Sequence, residues 1–247
     1  MTITTLQIKK EEGPIILYPT LIQVNNKSML VDCGYEETFE EFVAALGSIG
    51  MTIKDLNAII ISHDDIDHLG ALHLFKNANP DLIICSSKIE EPSVSGKVQS
   101  ERLIQAENSL DHIPEEHRSW AIDFIQQLKN IRRINVDLTL DDNDKIEEEI
   151  VVIHTPGHTK GHISLYIPSE STVIANDAIV IEEDELNIAN PAFTLDITSA
   201  FKSVEKIRDL RPAKLICYHG GVLESRVYEK LEALVMKYKT GENAKLL

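Results

Sequence analysis

The sequence predicts an α/β protein in which two β-sheets pack as a sandwich with helices outside. Three observations point there. Short apolar runs of strand character recur in both halves of the chain, and helical periodicities separate several of them. Imidazoles and carboxylates stand at the carboxyl ends of strands in both halves, which places two sets of strand ends around one edge.

The elements follow in order. Residues 3–10 and 15–23 are apolar-rich runs around a Glu-Glu-Gly-Pro turn, the pattern of a hairpin. KSMLVDCG (27–34) is a strand that ends at glycine. Phe39, Phe42, Val43 and Leu46 recur at three- and four-residue intervals, which predicts an amphipathic helix over 38–47. DLNAIIISH (55–63) is an apolar strand that runs into polar residues; GALHLFKN resumes as a helix, and DLIICSS (81–87) is another strand. Residues 88–131 are long, charged and helical in pattern, with apolar positions at Leu103, Ile104, Trp120, Ile122, Phe124 and Ile125. They read either as solvated connecting helices or as a cap over one edge of a site. VDLTL (136–140), an acidic turn and EEIVVIHT come next. GHISLYIP (161–168) and STVIAND (171–177) form a second expected hairpin, with EEDE (182–185) as a solvated loop. A helix over 196–209, the strand AKLICYH (213–219) and a last helix over 222–238 complete the chain. No charge-rich or Pro/Ser linker divides it. A single domain over 1–247 is therefore expected, with 88–131 as either connecting helices or a helical cap insertion.

Composition excludes several function classes. The formal charge is −16, from 24 Lys+Arg against 40 Asp+Glu, and no basic patch is visible, so nucleic acid and anionic membrane are disfavoured partners. A small-molecule substrate is the expectation. No stretch approaches the roughly 20 apolar residues of a membrane span, and the N-terminus does not read as a signal peptide. Cys33, Cys85 and Cys217 are sparse, unpaired in sequence and set in apolar runs, which predicts buried thiols in a reducing, cytoplasmic compartment. Neither GxxxxGK[ST] nor GxGxxG occurs, so no nucleotide or nicotinamide cofactor is expected, and no Ser-His-Asp or Cys-His spacing supports nucleophilic catalysis.

The chemistry concentrates in four segments. In IIISHDDIDHLG (59–70), His63, Asp64, Asp65, Asp67 and His68 follow a strand of buried character. On a strand-to-helix turn, the side chains of 63, 65, 67 and 68 can converge, and the helix N-terminus beyond favours carboxylates. In VVIHTPGHTKGH (151–162), Pro156 and Gly157 impose a turn ahead of His158. Asp177 in IANDAIV and His219 in LICYHGG each end an apolar strand.

Taken together, these segments resemble the metallo-beta-lactamase superfamily, whose usual signatures are HxHxDH, a glycine-flanked His, an Asp after a strand and a late His. The resemblance runs from the opening hairpin to His219 and includes VDCG, where many members read VDTG or VDAG. It implies a four-layer αββα sandwich and a dinuclear metal site. By this resemblance His63 and His158 match ligands of a first metal, Asp67, His68 and His219 match a second, and Asp177 matches the bridging carboxylate. Asp65 stands where the family usually has its second His. Carboxylate oxygen can ligate zinc, manganese or iron, so two divalent ions are expected, zinc first. A first metal held partly by Asp65 should be the weaker Lewis acid and less selective for zinc.

The implied activity is hydrolysis of a small ester, lactone or thioester by a metal-activated hydroxide, with Asp67 orienting the nucleophile or passing its proton. Alternatives on the same fold are an iron-dependent oxygen- or sulfur-utilising enzyme, a beta-lactam or phosphodiester hydrolase, and a metal-binding protein without catalysis. His154 and His162 read as packing or hydrogen-bonding neighbours of the ligands. His73, Tyr166 and Tyr218 read as packing residues, His112 and His117 as surface residues, and Asp64 as pointing away from the metals.

Overall fold

The computed structural model describes residues 1–10 and 15–240. The strands are β1 (Thr2–Thr5), β2 (Ile8–Lys9), β3 (Ile16–Leu17), β4 (Thr20–Val24), β5 (Lys27–Val31), β6 (Ala58–Ile61), β7 (Ile83–Ser87) and β8 (Leu138–Leu140) in the first part of the chain. Then come β9 (Lys145–Ile146), β10 (Ile150–His154), β11 (Ile163–Ile167), β12 (Thr172–Ile174), β13 (Val180–Glu182), β14 (Glu185–Asn187), β15 (Lys214–Cys217) and β16 (Gly221–Leu223). The helices are α1 (Phe39–Ser48), α2 (Ile66–Leu69), α3 (Leu72–Ala78), α4 (Glu91–Val94), α5 (Glu101–Ser109), α6 (Glu115–Asn130), α7 (Ile197–Asp209) and α8 (Val227–Thr240).

Two six-stranded sheets carry the fold, in the orders β1-β4-β5-β6-β7-β8 and β16-β15-β12-β11-β10-β9. β5, β6, β7 and β8 run parallel to one another, as do β12 and β15, while the other pairs are antiparallel. Strand alternation decides what each side chain meets. In the first sheet Met29, Val31, Ala58 and Ile60 face the second sheet, where Val152, Leu165, Ile174 and Ile216 answer them. The intervening Leu30, Ile59 and Ile61 point the other way, onto Phe42 and Leu46 of α1 and Leu72 and Phe75 of α3. On the far side, Val173, Leu215 and Cys217 pack under Phe201 and Val204 of α7 and Leu231 and Val235 of α8. The layers are thus helix, sheet, sheet, helix, the four-layer αββα sandwich that the motifs imply.

Residues 88–131 are helical, as expected, and build a small core of their own. Leu103 of α5 and Ile125 and Leu128 of α6 bury one another, with Ile66 of α2 packed against them. This unit sits beside the HDDIDH segment. Elsewhere one element boundary differs from the expected one. EEDE is solvated as expected and forms the tip of the β13–β14 hairpin, where Glu182 pairs with Glu185, whereas the last helix starts at Val227 rather than at 222, because Gly221–Leu223 pair with β15 first.

Candidate metal centre

β6 has parallel neighbours, β12 is parallel to β15, and β10 runs in the direction of β12 from the far side of β11, so the polar residues after these strands meet at one edge of the sandwich. His63 follows β6, His158 follows β10, Asp177 follows β12 and His219 follows β15. The turn before His158 depends on glycine. Gly157 has φ +137, and a Cβ there would lie 2.1 Å from the backbone nitrogen of Ala200, so α7 can approach the loop only if residue 157 lacks a side chain.

Two groups of donors form. His63, His158 and Asp177 make one; Asp67, His68 and His219 make the other, and within each the donor atoms lie within 4.8 Å of one another. Asp177 faces both: its oxygens are 3.5 Å from His68 Nε2, 3.7 Å from His158 Nε2 and 3.5 Å from His219 Nε2. His63 Nε2, His68 Nε2 and Asp177 Oδ1 are buried without a hydrogen-bond partner among the described residues. Buried polar atoms are seldom left so. Three orphaned atoms aimed into one space, all of ligand type, fit a pair of divalent cations.

Asp65 is different. It belongs to neither group. Arg102 of α5 grips its carboxylate with two parallel hydrogen bonds, Nε to Oδ1 at 2.9 Å and Nη2 to Oδ2 at 2.8 Å. Asp65 Oδ2 is also 2.9 Å from His158 Nε2 and 3.4 Å from His63 Nε2, so the carboxylate stands between the guanidinium and the first donor group. Ser100 accepts a hydrogen bond from the Leu103 amide and so caps α5, which sets Arg102 in the first turn, facing the motif.

The electrostatics follow from burial set against close charges. Burial opposes ionisation of Asp65, yet Arg102, then the imidazole of His158, holds its carboxyl well below the usual range. Burial likewise works against charge on Asp177, but His219 and His68 hold it well below. Asp67 is lowered, burial being outweighed by His68 and His219. His68 is raised well above an ordinary imidazole, as Asp67, Asp177 and Asp32 outweigh burial, and His219 rises to about 10 chiefly through Asp177. His63 and His162 are lowered by burial. The second donor group is therefore strongly polarised and half open, with the Asp67 and His219 side chains 16% and 31% exposed, whereas the His63 and His158 side chains are 0% and 5% exposed.

Several supporting residues carry little or no signal in the sequence. Asp32, after β5, is fully buried; it accepts from the Ser62 amide at 2.8 Å and the Ser62 hydroxyl at 2.7 Å, and its Oδ2 is 2.8 Å from His68 Nδ1. That contact places the His68 proton on Nδ1 and frees Nε2 for a cation. The signal was present in VDCG, one residue before the cysteine. Glu90 joins the two motif loops: it accepts from the Asp64 amide at 3.2 Å, the Thr159 hydroxyl at 2.7 Å and the Gly161 amide at 2.8 Å. Nothing in its charged neighbourhood distinguishes Glu90 or Arg102 in sequence. Pairing across the fold defines both.

The remaining histidines and tyrosines have definite places. His162 is buried, 2.9 Å from the Thr155 hydroxyl through Nδ1, and its Nε2 accepts from the Asp177 amide at 3.2 Å, so it steadies that ligand segment. His154 Nε2 is 3.1 Å from the Lys160 carbonyl, and buried His73 lies 3.6 Å from Glu36. His112 and His117 are exposed. Asp64 turns away to pair with Arg133. Tyr218 packs its ring 4.1 Å from that of His68 and donates to the Asp67 carbonyl at 2.7 Å, while Tyr166 packs under α7 and α8. All three cysteines are free and buried.

Above the donors lies a cavity of about 540 Å³. Asp65, Asp67, His158, Asp177, His219 and Arg102 line its floor, and Trp120, Phe124 and Phe193 line one wall. Trp120 stacks on Phe124 at 5.4 Å and 6°, with Phe193 edge-on to Phe124 at 6.1 Å. The helices of 88–131 thus border the cavity.

The chain has counterparts among known proteins. Residues 16–219 match the metallo-beta-lactamase superfamily. A probable metallo-hydrolase of Bacillus subtilis, YflN, is 28% identical over 183 residues, covering 67% of this chain and 64% of that protein. A beta-lactamase-like protein 2 homolog of Drosophila melanogaster is 24% identical over 212 residues, 84% of this chain and 59% of its own length. The chain therefore spans about three fifths of these two relatives. The solved structure of a metallo-beta-lactamase family protein from Thermus thermophilus superposes with a TM-score of 0.75 at 20% identity, covering 96% of this chain and 79% of that one. With its layers, its converging strand ends and a match across most of its length, the chain belongs to the metallo-beta-lactamase superfamily.

Proposed function

We propose that the protein is a metal-dependent hydrolase of a small ester, lactone or thioester that carries an apolar group. The observation that carries this reading is one cavity with two faces: a floor of convergent ligand-type side chains and an aromatic wall. Divalent ions bound to those side chains would supply a water of lowered pKa and polarise the scissile carbonyl. His63, His158 and Asp177 would hold one ion, zinc first, with Asp67, His68 and His219 holding the other and Asp177 shared between them.

The chain's own residues do the rest. Asp67, 3.1 Å from His219 and open to the cavity, orients the attacking water and accepts its proton. Asp32 and His162 keep His68 and Asp177 aimed inward. Trp120, Phe124 and Phe193 take the apolar part of the substrate and exclude water from that side. A strongly acidic surface disfavours polyanionic substrates.

Metal content by inductively coupled plasma mass spectrometry, followed by an ester, lactone and thioester screen, tests the reading. Two ions per chain and hydrolysis abolished by chelation are expected. Asp67→Ala and Asp177→Ala should each lower metal content and collapse turnover. Full activity with normal metal content in either variant would refute the assignment.

A further inference from the structure

The Asp65–Arg102 pair has a consequence for the metals themselves. A neutral imidazole at position 65 would add no charge. Asp65 adds −1 and Arg102 adds +1, and the two are joined by two hydrogen bonds with side chains only 11% and 3% exposed. Asp65 plus Arg102 thus forms a neutral unit in which the carboxylate is already occupied. The same guanidinium places Nη2 3.3 Å from His158 Nε2, a donor atom of the first group. The guanidinium charge there cancels the attraction for a cation that the Asp65 carboxylate, 2.9 Å from the same nitrogen, would otherwise exert, in surroundings where charges are weakly screened.

We infer that Arg102 is a positioning residue that withholds Asp65 from the first metal, so that His63, His158 and Asp177 bind that metal weakly and it exchanges more readily than the second. The inference rests on the metal-dependent reading above and concerns how the two positions differ. It couples the cap to the metals, because Arg102 belongs to α5, whose Leu103 is buried against α6. It also explains how a buried arginine is tolerated: its Nη1 donates to Gln105 at 2.5 Å, and its Nε and Nη2 donate to the Asp65 carboxylate. Removing the charge releases Asp65 to the first donor group. The sign of the effect is therefore the reverse of ordinary damage.

Zinc titrated into EDTA-stripped full-length protein against a chelating chromophore reads the two stepwise constants without reference to turnover. Wild type should show two separated constants. Arg102→Met should tighten the weaker one by about tenfold or more and leave the stronger within about threefold. Asp65→His alone, which strands a buried guanidinium, should weaken the first site, and adding Arg102→Met to it should restore binding. If the methionine variant does not fold, Arg102→Gln keeps one donor without the charge and carries the same expectation. A residue that only anchors the cap would leave zinc affinity unchanged or lower it. Either result for Arg102→Met or Arg102→Gln, or a double variant no better than Asp65→His, would overturn the inference. A wild-type protein that takes up no zinc would overturn the metal reading with it.

Discussion

Replacing Asp32 by Asn changes one oxygen for one NH2 group in a fully buried position, and the structure says what that should cost. Asp32 makes three contacts at 2.7–2.8 Å, with the Ser62 amide, the Ser62 hydroxyl and His68 Nδ1. Asn can still accept from the amide through Oδ1, but its Nδ2 would then face the Nδ1 proton of His68, donor against donor. Flipping the amide only moves the conflict to Ser62. The backbone is not a confounder: Asp32 has φ +62, a conformation that Asn adopts as readily. Losing a charge-assisted hydrogen bond in a buried site costs about 1.5–3 kcal/mol. Loss of such support behind a metal-binding imidazole typically weakens the metal by about 10- to 100-fold. Chelator competition on the stripped protein measures the affinity, and urea unfolding in EDTA measures the stability. Asp32→Asn should lose on both. Wild-type zinc affinity together with an unchanged unfolding midpoint would show that the Asp32–His68 contact does not orient the ligand, and the argument for Nε2 as the metal-facing atom would fall with it.

Two further outcomes follow from other parts of the cavity and its supports. Trp120 is 56% exposed and stacked on Phe124 at the cavity wall, so Trp120→Ala should raise KM about tenfold for substrates with apolar acyl groups, with little change for acetyl esters and none in metal content. Equal loss across both substrate sets would remove the wall from substrate recognition. Glu90 concerns pH: burial pushes its carboxyl up to about 7, so the folded chain holds this proton more tightly than the unfolded chain does. Between the ordinary glutamate value and about 7, the Glu90 contribution therefore falls as pH rises, by at most about 1.4 kcal/mol per pH unit. Unfolding of stripped wild type and Glu90→Gln across that range isolates the slope; parallel curves would refute it. Asp64, raised by burial to about 6, acts in the same direction and is common to both proteins.

Most of the fold was legible because its signals are local. Apolar runs in KSMLV and AIII, apolar spacing in α1 and α7, and the Pro156-Gly157 turn each act over a few residues. The ligand-type residues were legible for a related reason: they end apolar strands, where side chains leave the sheet toward one edge. Element boundaries were less so. β16 is three residues long and exists through its pairing with β15, which no local pattern announces.

What the sequence by itself determined is the chemistry on offer: two sheets with helices outside, and imidazoles and carboxylates at strand ends in an acidic chain without a nucleotide motif. What the tertiary structure alone decided is how those groups are shared out. Asp65 faces Arg102 across 37 residues of sequence, Glu90 ties Asp64 to Gly161, and Asp32 reaches His68 from the neighbouring strand. Each is a contact between a charged side chain and a partner far along the chain. In sequence a charged residue looks solvated by default, and only its burial reveals that it must be paired.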